Sequence, residues 1–263
     1  MQKSPDQTWS TLVLAAGRGP NDPMAKAWGV ANKCLIPVAG VPMVRRVWEA
    51  LASSGRIGAT RISIEDAELL PWPELRAAAL PAGASAPQSA IMAITSSGAL
   101  EYPVLITTGD HALLTPEMVR HFCSGAEAAG ADFVAGVARA EVILEAYPQS
   151  VRTFFNLGAD RISGCNLFAV MNPSGLKLLE RWQYLEHVRK KPWRLVGAFG
   201  MSALVEFALG RLNLDRALAH VSRRIGLTVR AVCMPFAEAA IDVDKPADKE
   251  LAETILARRE QVA

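Results

Sequence analysis

The chain predicts an α/β fold, a three-layer α/β/α arrangement around a mostly parallel, Rossmann-like sheet. Three observations carry that expectation. Thr11-Leu12-Val13-Leu14-Ala15-Ala16 is an apolar run that stops abruptly at Gly17-Arg18-Gly19, as a buried strand does when it feeds a glycine loop. Val104 to Thr108 is a second such run and ends at Gly109-Asp110. Between and beyond them strand and helix signals alternate, which is the rhythm of βαβ units.

The elements follow in order. Thr11 to Ala16 is the first strand, and a long loop with Pro20, Pro23 and Gly29 comes next. Val41-Pro42 opens a helix that continues through Val47 and Leu51, because proline is tolerated in a first turn. Thr60 to Ile64 is a second strand. Leu69 to Leu80 is helical but interrupted by Pro71 and Pro73, and Pro87 to Ser97 is a helix with Ser85 as its N-cap. Thr115-Pro116-Glu117 combines an N-cap, a first-turn proline and a first-turn acid, so a helix starts there. Phe133 to Ala138 returns to strand.

Near residue 140 the rhythm breaks. Val151 to Phe155 and Leu167 to Val170 predict strands, separated by turn signals at Gly158-Ala159-Asp160 and Ser163-Gly164. A hairpin insertion followed by helices over Pro173–Arg189, Ser202–Leu209 and Leu214–Arg224 fits best. Thr228–Cys233 and Ala240–Val243 are strands, and a last helix runs from Pro246 to Arg259. The expected organisation is one domain, 1–263, with residues 140–225 as an acceptor-side lobe within it.

Composition excludes several classes. The chain has 263 residues, 51% of them hydrophobic and only 6% aromatic, so it can bury a sizeable core. A net charge of +2 argues against a dedicated nucleic-acid binder. Cys34, Cys123, Cys165 and Cys233 form no C-x-x-C pair and no zinc spacing, so they are expected as buried, reduced thiols of a cytoplasmic protein. The first ten residues are polar and resemble no signal peptide, and no apolar run reaches the roughly 20 residues of a membrane span. Oligomeric state leaves no signature.

Three sites carry chemistry. Gly17-Arg18-Gly19 matches neither the G-x-G-x-x-G dinucleotide pattern nor a Walker A loop, yet its glycines allow close approach of phosphate to backbone amides. Downstream, Lys33 stands among apolar residues before Gly40-Val41-Pro42, where a fixed ammonium can neutralise a triphosphate. Asp110 directly follows a buried strand, at the carboxyl edge where open α/β sheets bind ligands, and one carboxylate there can hold Mg²⁺. The adjacent His111 is expected to pack beside the turn. In Ala240-Ile241-Asp242-Val243-Asp244, alternation puts Asp242 and Asp244 on one side, and either can complete the magnesium shell. Asp244 also suits the N-cap of the last helix, with Asp248 in its first turn.

Together these sites resemble the GT-A-like nucleotidyltransferases, the superfamily of the molybdenum-cofactor guanylyltransferases and the methylerythritol-phosphate cytidylyltransferases. The resemblance rests on Leu14-Ala15-Ala16-Gly17-Arg18-Gly19, Met24, Lys33, Gly40-Val41-Pro42, Gly109-Asp110 and Asp244-Lys245-Pro246-Ala247-Asp248, in family order over about residues 11 to 250. Two features depart from the pattern: the stretch between Gly19 and Lys33 is long, and no arginine precedes Met24. Arg18 or Lys26 is then the basic group left to clamp a triphosphate.

The resemblance implies that Leu14, Ala15, Ala16, Gly17 and Gly19 wrap a nucleoside triphosphate, with Gly109 at the central turn. It implies that Ser89 contacts base or ribose, that Lys33 faces the α-phosphate, and that Asp110 and Asp244 hold Mg²⁺. It favours CTP or GTP, and a phosphorylated small molecule as acceptor. Arg152 and Asn166, in the acceptor-side stretch, are candidates to bind that phosphate. Lys177 to Arg194 mixes Arg181, Arg189, Lys190, Lys191 and Arg194 with Trp182, Tyr184 and Trp193; a solvated helix face with aromatic anchors is expected there, a lid or membrane-surface helix being the alternatives. Two rival functions remain. A GT-A glycosyltransferase needs an Asp-x-Asp pair after the central strand, where this chain has Asp110-His111-Ala112; a non-catalytic nucleotide binder has no need of Lys33, Asp110 and Asp244 together.

Overall fold

The computed structural model describes residues 8–17, 19, 22–96, 98, 100–150, 152–158, 160–186, 206–207 and 209–262. The first half alternates as expected. β1 (Trp9–Leu14) leads through the loop at 15–19 to a one-turn helix, α1 (Pro23–Ala27). A 3-10 turn (Lys33–Leu35) and a small hairpin, β2 (Pro37–Val38) with β3 (Val41–Pro42), precede α2 (Met43–Ala52). Then come β4 (Ile57–Ile64), α3 (Pro73–Ala77), β5 (Ala79–Pro81), α4 (Ala86–Thr95), β6 (Val104–Thr108), α5 (Pro116–Ala128) and β7 (Phe133–Arg139). The second half holds α6 (Ala140–Ala146), β8 (Phe155–Asn156), β9 (Arg161–Val170), α7 (Pro173–Glu186), α8 (Leu214–Ile225), β10 (Val229–Cys233) and α9 (Pro246–Val262).

The main sheet has eight strands in the order β10-β7-β9-β6-β1-β4-β5, with β8 paired to β9. Its backbone is parallel except at β9, which runs antiparallel to β6, β7 and β8. Helices cover both faces because the strands alternate. Trp9 and Val13 of β1 pack under α2 and α5 with Val47, Leu51, Met118 and Phe122. Leu12 points the other way, onto Ala90, Ile94 and Leu179 of α4 and α7. A third cluster joins the β2–β3 hairpin to α9 through Ile36, Val38, Ile241, Val243 and Ile255. Among the described residues no helix is long and apolar enough to cross a membrane.

Several expected elements differ. The loop after Gly19 contains α1, because Asp22 caps it by accepting from the Met24 and Ala25 amides at 2.9 and 3.0 Å, with Pro23 in the first turn. The Leu69–Leu80 helix shrinks to α3, and Ala79–Pro81 joins the sheet beside β4. Ser163-Gly164 is not a turn but lies inside β9, which pairs with β7 across it. Among the described residues of 151–155, only Phe155 is in a strand. Ala240–Val243 is not a strand: a 3-10 turn (Ala237–Ala240) leads into an extended segment. Helix α6 was not anticipated. The expected helix Ser202–Leu209 and the basic stretch beyond 186 fall largely outside the described residues.

Candidate active site

Two strand ends and one late segment make the site. β1 and β6 are neighbours, so their carboxyl ends place the loop at 15–17 beside Gly109-Asp110, and the Gly109 amide donates to the Leu14 carbonyl at 2.8 Å. The contact is close. A Cβ on Gly109 would meet Cys34 Sγ at 2.9 Å and Ala15 Cβ at 3.1 Å, so glycine is needed for packing. Burial pushes the Cys34 thiol well above its ordinary range, and it packs as an apolar group.

The glycine loop is held by two residues that the sequence analysis assigned no role. Asn32 is 1% exposed. Its Nδ2 donates to the Ala15 carbonyl and to Glu65 Oε1, both at 2.8 Å, and its Oδ1 accepts from the Cys34 amide at 2.7 Å. Glu65, at the end of β4, accepts the Gly17 amide at 2.9 Å through Oε2. The only available signals were an asparagine just before Lys33 and a glutamate just after a strand.

Lys33 begins the 3-10 turn capped by Asn32, and this aims its side chain inward. Its Nζ donates to Asp110 Oδ2 at 2.7 Å and to Asp244 Oδ1 at 2.5 Å. Burial disfavours the ammonium, but the Asp110 charge and hydrogen bond, with those of Asp244, outweigh it and hold the lysine charged beyond its ordinary range.

The late segment reaches this point for a packing reason. Ile241 and Val243 are 0% exposed in the cluster under α9, and burying each is worth about 1.5–3 kcal/mol. The Val243 amide donates to the Asp110 carbonyl at 3.2 Å. Alternation then turns Asp242 and Asp244 to the same side, towards Asp110. Carboxylate oxygens of Asp110, Asp242 and Asp244 lie within 4.8 Å of one another. Burial, then repulsion from Asp110 and Asp244, pushes Asp242 up to about 6, against the opposing pull of Arg152. Asp110 Oδ1 is buried and has no hydrogen-bond partner among the described residues. An orphaned oxygen among all-carboxylate donors fits a hard divalent cation such as Mg²⁺.

Arg152 and Asn166 both touch Asp242. Arg152 donates to Asp242 Oδ1 and to Asp248 Oδ1, each at 2.7 Å, and its side chain is only 8% exposed. Asn166 Nδ2 donates to Asp242 Oδ2 at 3.2 Å. Asp248 Oδ2 accepts from the Asp244 and Lys245 amides at 3.1 and 2.9 Å, so Asp248 organises the start of α9.

Two clefts meet at the carboxylates. One, of about 330 Å³, is lined by Leu14, Ala16, Gly17, Lys33, Ser89 and Asp110, among others. Ser89 is buried and its hydroxyl accepts the Gly83 amide at 2.9 Å, so it fixes the loop before α4. Ala15 sits behind the cleft, fully buried. Gly19 supplies a left-handed turn at φ 83°, and Arg18 lies outside the described residues. Met24 is buried beside the β2–β3 hairpin, and Lys26 is exposed on α1. The second cleft, of about 350 Å³, is lined by Arg152, Thr153, Phe155, Asn166, Asp242 and Lys245, among others. A larger groove, of about 550 Å³, lies between Tyr147 and α9 and shares only Lys245 and Asp248 with the second cleft. His111 is 1% exposed, and burial pushes it down to about 4, so it packs as a neutral ring.

Known proteins share this fold. Residues 11–195 match the model of the MobA-like NTP transferase domain. A solved hypothetical transferase from Thermus thermophilus is 30% identical, with a TM-score of 0.76 over 92% of this chain and 100% of that one. A CMP:2-keto-3-deoxy-manno-octonic acid synthetase complexed with CTP is 13% identical, with a TM-score of 0.56 over 96% of this chain and 99% of its own. A 4-diphosphocytidyl-2C-methyl-D-erythritol synthase from Anaerococcus prevotii is 11% identical, with a TM-score of 0.59 over the same shares. No curated protein matches significantly by sequence. Since the family model matches residues 11–195, well over half of the 263, the chain belongs to the MobA-like NTP transferase family.

Proposed function

We propose that this protein transfers a nucleoside monophosphate from CTP or GTP to a phosphorylated small molecule, with release of pyrophosphate, in the cytoplasm. One observation carries the reading: Lys33, Asp110 and Asp244, far apart in sequence, meet at the edge of the cleft that the glycine loop lines. The CTP-bound and cytidylyl-transferring neighbours support CTP. Asp110 with Asp242 or Asp244 would hold Mg²⁺, which when bound would neutralise triphosphate charge and polarise the phosphoryl oxygens.

The residues meet the demands of the reaction. An oxygen of the acceptor monoester attacks the α-phosphorus, a P–O–P bond forms, and the α–β bridging oxygen leaves with its electron pair as pyrophosphate. A monoester with a second pKa of about 6 is largely dianionic at pH 7 and needs no general base. This agrees with a site beside which His111 is buried and neutral. The Lys33 ammonium, kept charged by its carboxylates, offsets negative charge as it shifts to the leaving group. Ala16 and Gly17 bring backbone close to the nucleotide, while the second cleft, with the 140–225 stretch around it, receives the acceptor.

The test is thermal-shift screening against CTP, GTP, ATP and UTP with MgCl₂, followed by pyrophosphate release with a pool of sugar and polyol phosphates. Stabilisation by one triphosphate and magnesium-dependent release that Asp110→Asn abolishes are expected. No stabilisation by any of the four would contradict the reading.

A further inference from the structure

The conformation of one residue in β9 is unexplained by the sheet. Asn166 has φ 48°, the left-handed region, in the interior of a strand. Only glycine adopts this freely; asparagine tolerates it better than most residues. Pairing breaks at this residue. Ala135 of β7 faces Phe168 and Val137 faces Gly164, so β9 carries extra residues around Asn166. Pairing with β6 also ends next to it, at Thr107 and Leu167. Bulges of this kind re-aim a side chain, and this one turns the Asn166 carboxamide to Asp242 Oδ2. Since glycine would satisfy the backbone better, the side chain is what asparagine adds.

We propose that Asn166 is a positioning residue for the cation site: with Arg152 on the opposite oxygen, it holds the Asp242 carboxylate as the partner of Asp110. The geometry distinguishes the two late acids. Asp244 is half-exposed and directed to Lys33. Asp242 is gripped on both oxygens, by Arg152 on Oδ1 and Asn166 on Oδ2, and Arg152 is itself braced by Asp248. Each carboxylate oxygen has a further lone pair for a cation. Asn166 and Arg152 thus act on the carboxylate rather than on an acceptor phosphate. The inference rests on the nucleotidyl-transfer reading, because that reaction is what uses a cation here.

The experiment measures Mn²⁺ binding to the full chain by electron paramagnetic resonance, alongside melting temperature, for Asn166→Gly, Asn166→Ala and Asp110→Asn. Asn166→Gly should melt close to the native temperature, since relieved strain offsets the added freedom of the unfolded chain, and still bind Mn²⁺ about 10–100-fold more weakly, as when the support of a ligand is lost. Asn166→Ala should show the same loss of Mn²⁺ with a lower melting temperature. A merely structural role predicts the reverse for Asn166→Gly: stability changed and Mn²⁺ affinity kept. Native affinity in Asn166→Gly with weakened binding in Asp110→Asn overturns the role of Asn166 alone. Native affinity in both variants removes the cation site and the proposed chemistry with it. Failure of Asn166→Gly to fold refutes the backbone argument.

Discussion

Replacing Lys33 by methionine should move two properties of the site in opposite directions. Methionine keeps an unbranched apolar stem of similar length and deletes only the ammonium. That ammonium now contacts Asp110 Oδ2 at 2.7 Å and Asp244 Oδ1 at 2.5 Å, beside the carboxylates of Asp110 and Asp242 that would hold a divalent cation. An ammonium and a divalent cation about 4 Å apart would repel by about 2 kcal/mol in water and about 8 kcal/mol at a surface-like dielectric of about 20, twice the value for unit charges. The 44% exposure of Asp244 puts the site nearer the watery limit. Lys33→Met should therefore tighten Mn²⁺ binding by about 2–3 kcal/mol, roughly 30–150-fold. Turnover should fall about 10²–10³-fold, as when a preorganised transition-state donor is lost. Without cation the variant should also be less stable, because clustered carboxylates lose their counter-charge, and added Mn²⁺ should restore it. Titrating the free Mn²⁺ resonance gives the affinity, and pyrophosphate release gives the turnover. Weaker Mn²⁺ binding with retained turnover would refute the arrangement.

Further expectations follow from the same contacts. Asp242, raised from 3.8 to about 6 first by burial and then by Asp110 and Asp244, is more protonated folded than unfolded; its stabilising contribution is full below pH 3.8 and is lost as pH rises through about 6. A cation must displace that proton, so Mn²⁺ affinity should climb between about pH 5 and 7, and Asp242→Asn should flatten the climb; an unchanged slope would count against Asp242 as a ligand. His111, lowered from 6.5 to about 4 by burial, works the other way: its contribution is present above pH 6.5 and is lost as pH falls towards 4. In acid melts His111→Phe should therefore lose less stability than the native chain between pH 6.5 and 4, and equal losses would show that the ring is not buried. Gly109→Ala forces a Cβ against Cys34 Sγ and Ala15 Cβ, which should cost about 1–3 kcal/mol in urea unfolding; Cys34→Ala in the same chain should recover part of it, and full additivity would refute the contact.

The readable parts of the chain were those where local chemistry and tertiary structure agree. β1, β6, the Ser85 and Thr115 caps and the Gly109-Asp110 turn obey short-range rules, and their capping bonds form as the residues suggest. The convergence of Asp242 and Asp244 on Asp110 was legible from alternation, but for a different structural reason: burial of Ile241 and Val243 under α9 turns the acids inward, not membership of a strand. The part hidden from sequence is where long-range contacts decide. Ser163-Gly164 has turn composition, yet both residues pair with β7, at Ala138 and Val137, and this overrides it. Nothing local to Arg152 reveals its contacts with Asp242 and Asp248, 90 and 96 residues away. The Asn32–Glu65 brace on the glycine loop likewise spans 33 residues.

The most direct test of the central claim is anomalous diffraction from a crystal grown with MnCl₂ and CTP. The account predicts a manganese peak in direct coordination with Asp110 and at least one of Asp242 and Asp244, beside phosphate density over the loop at residues 14–17. A peak bound elsewhere, with Lys33 still bridging Asp110 and Asp244, would contradict it.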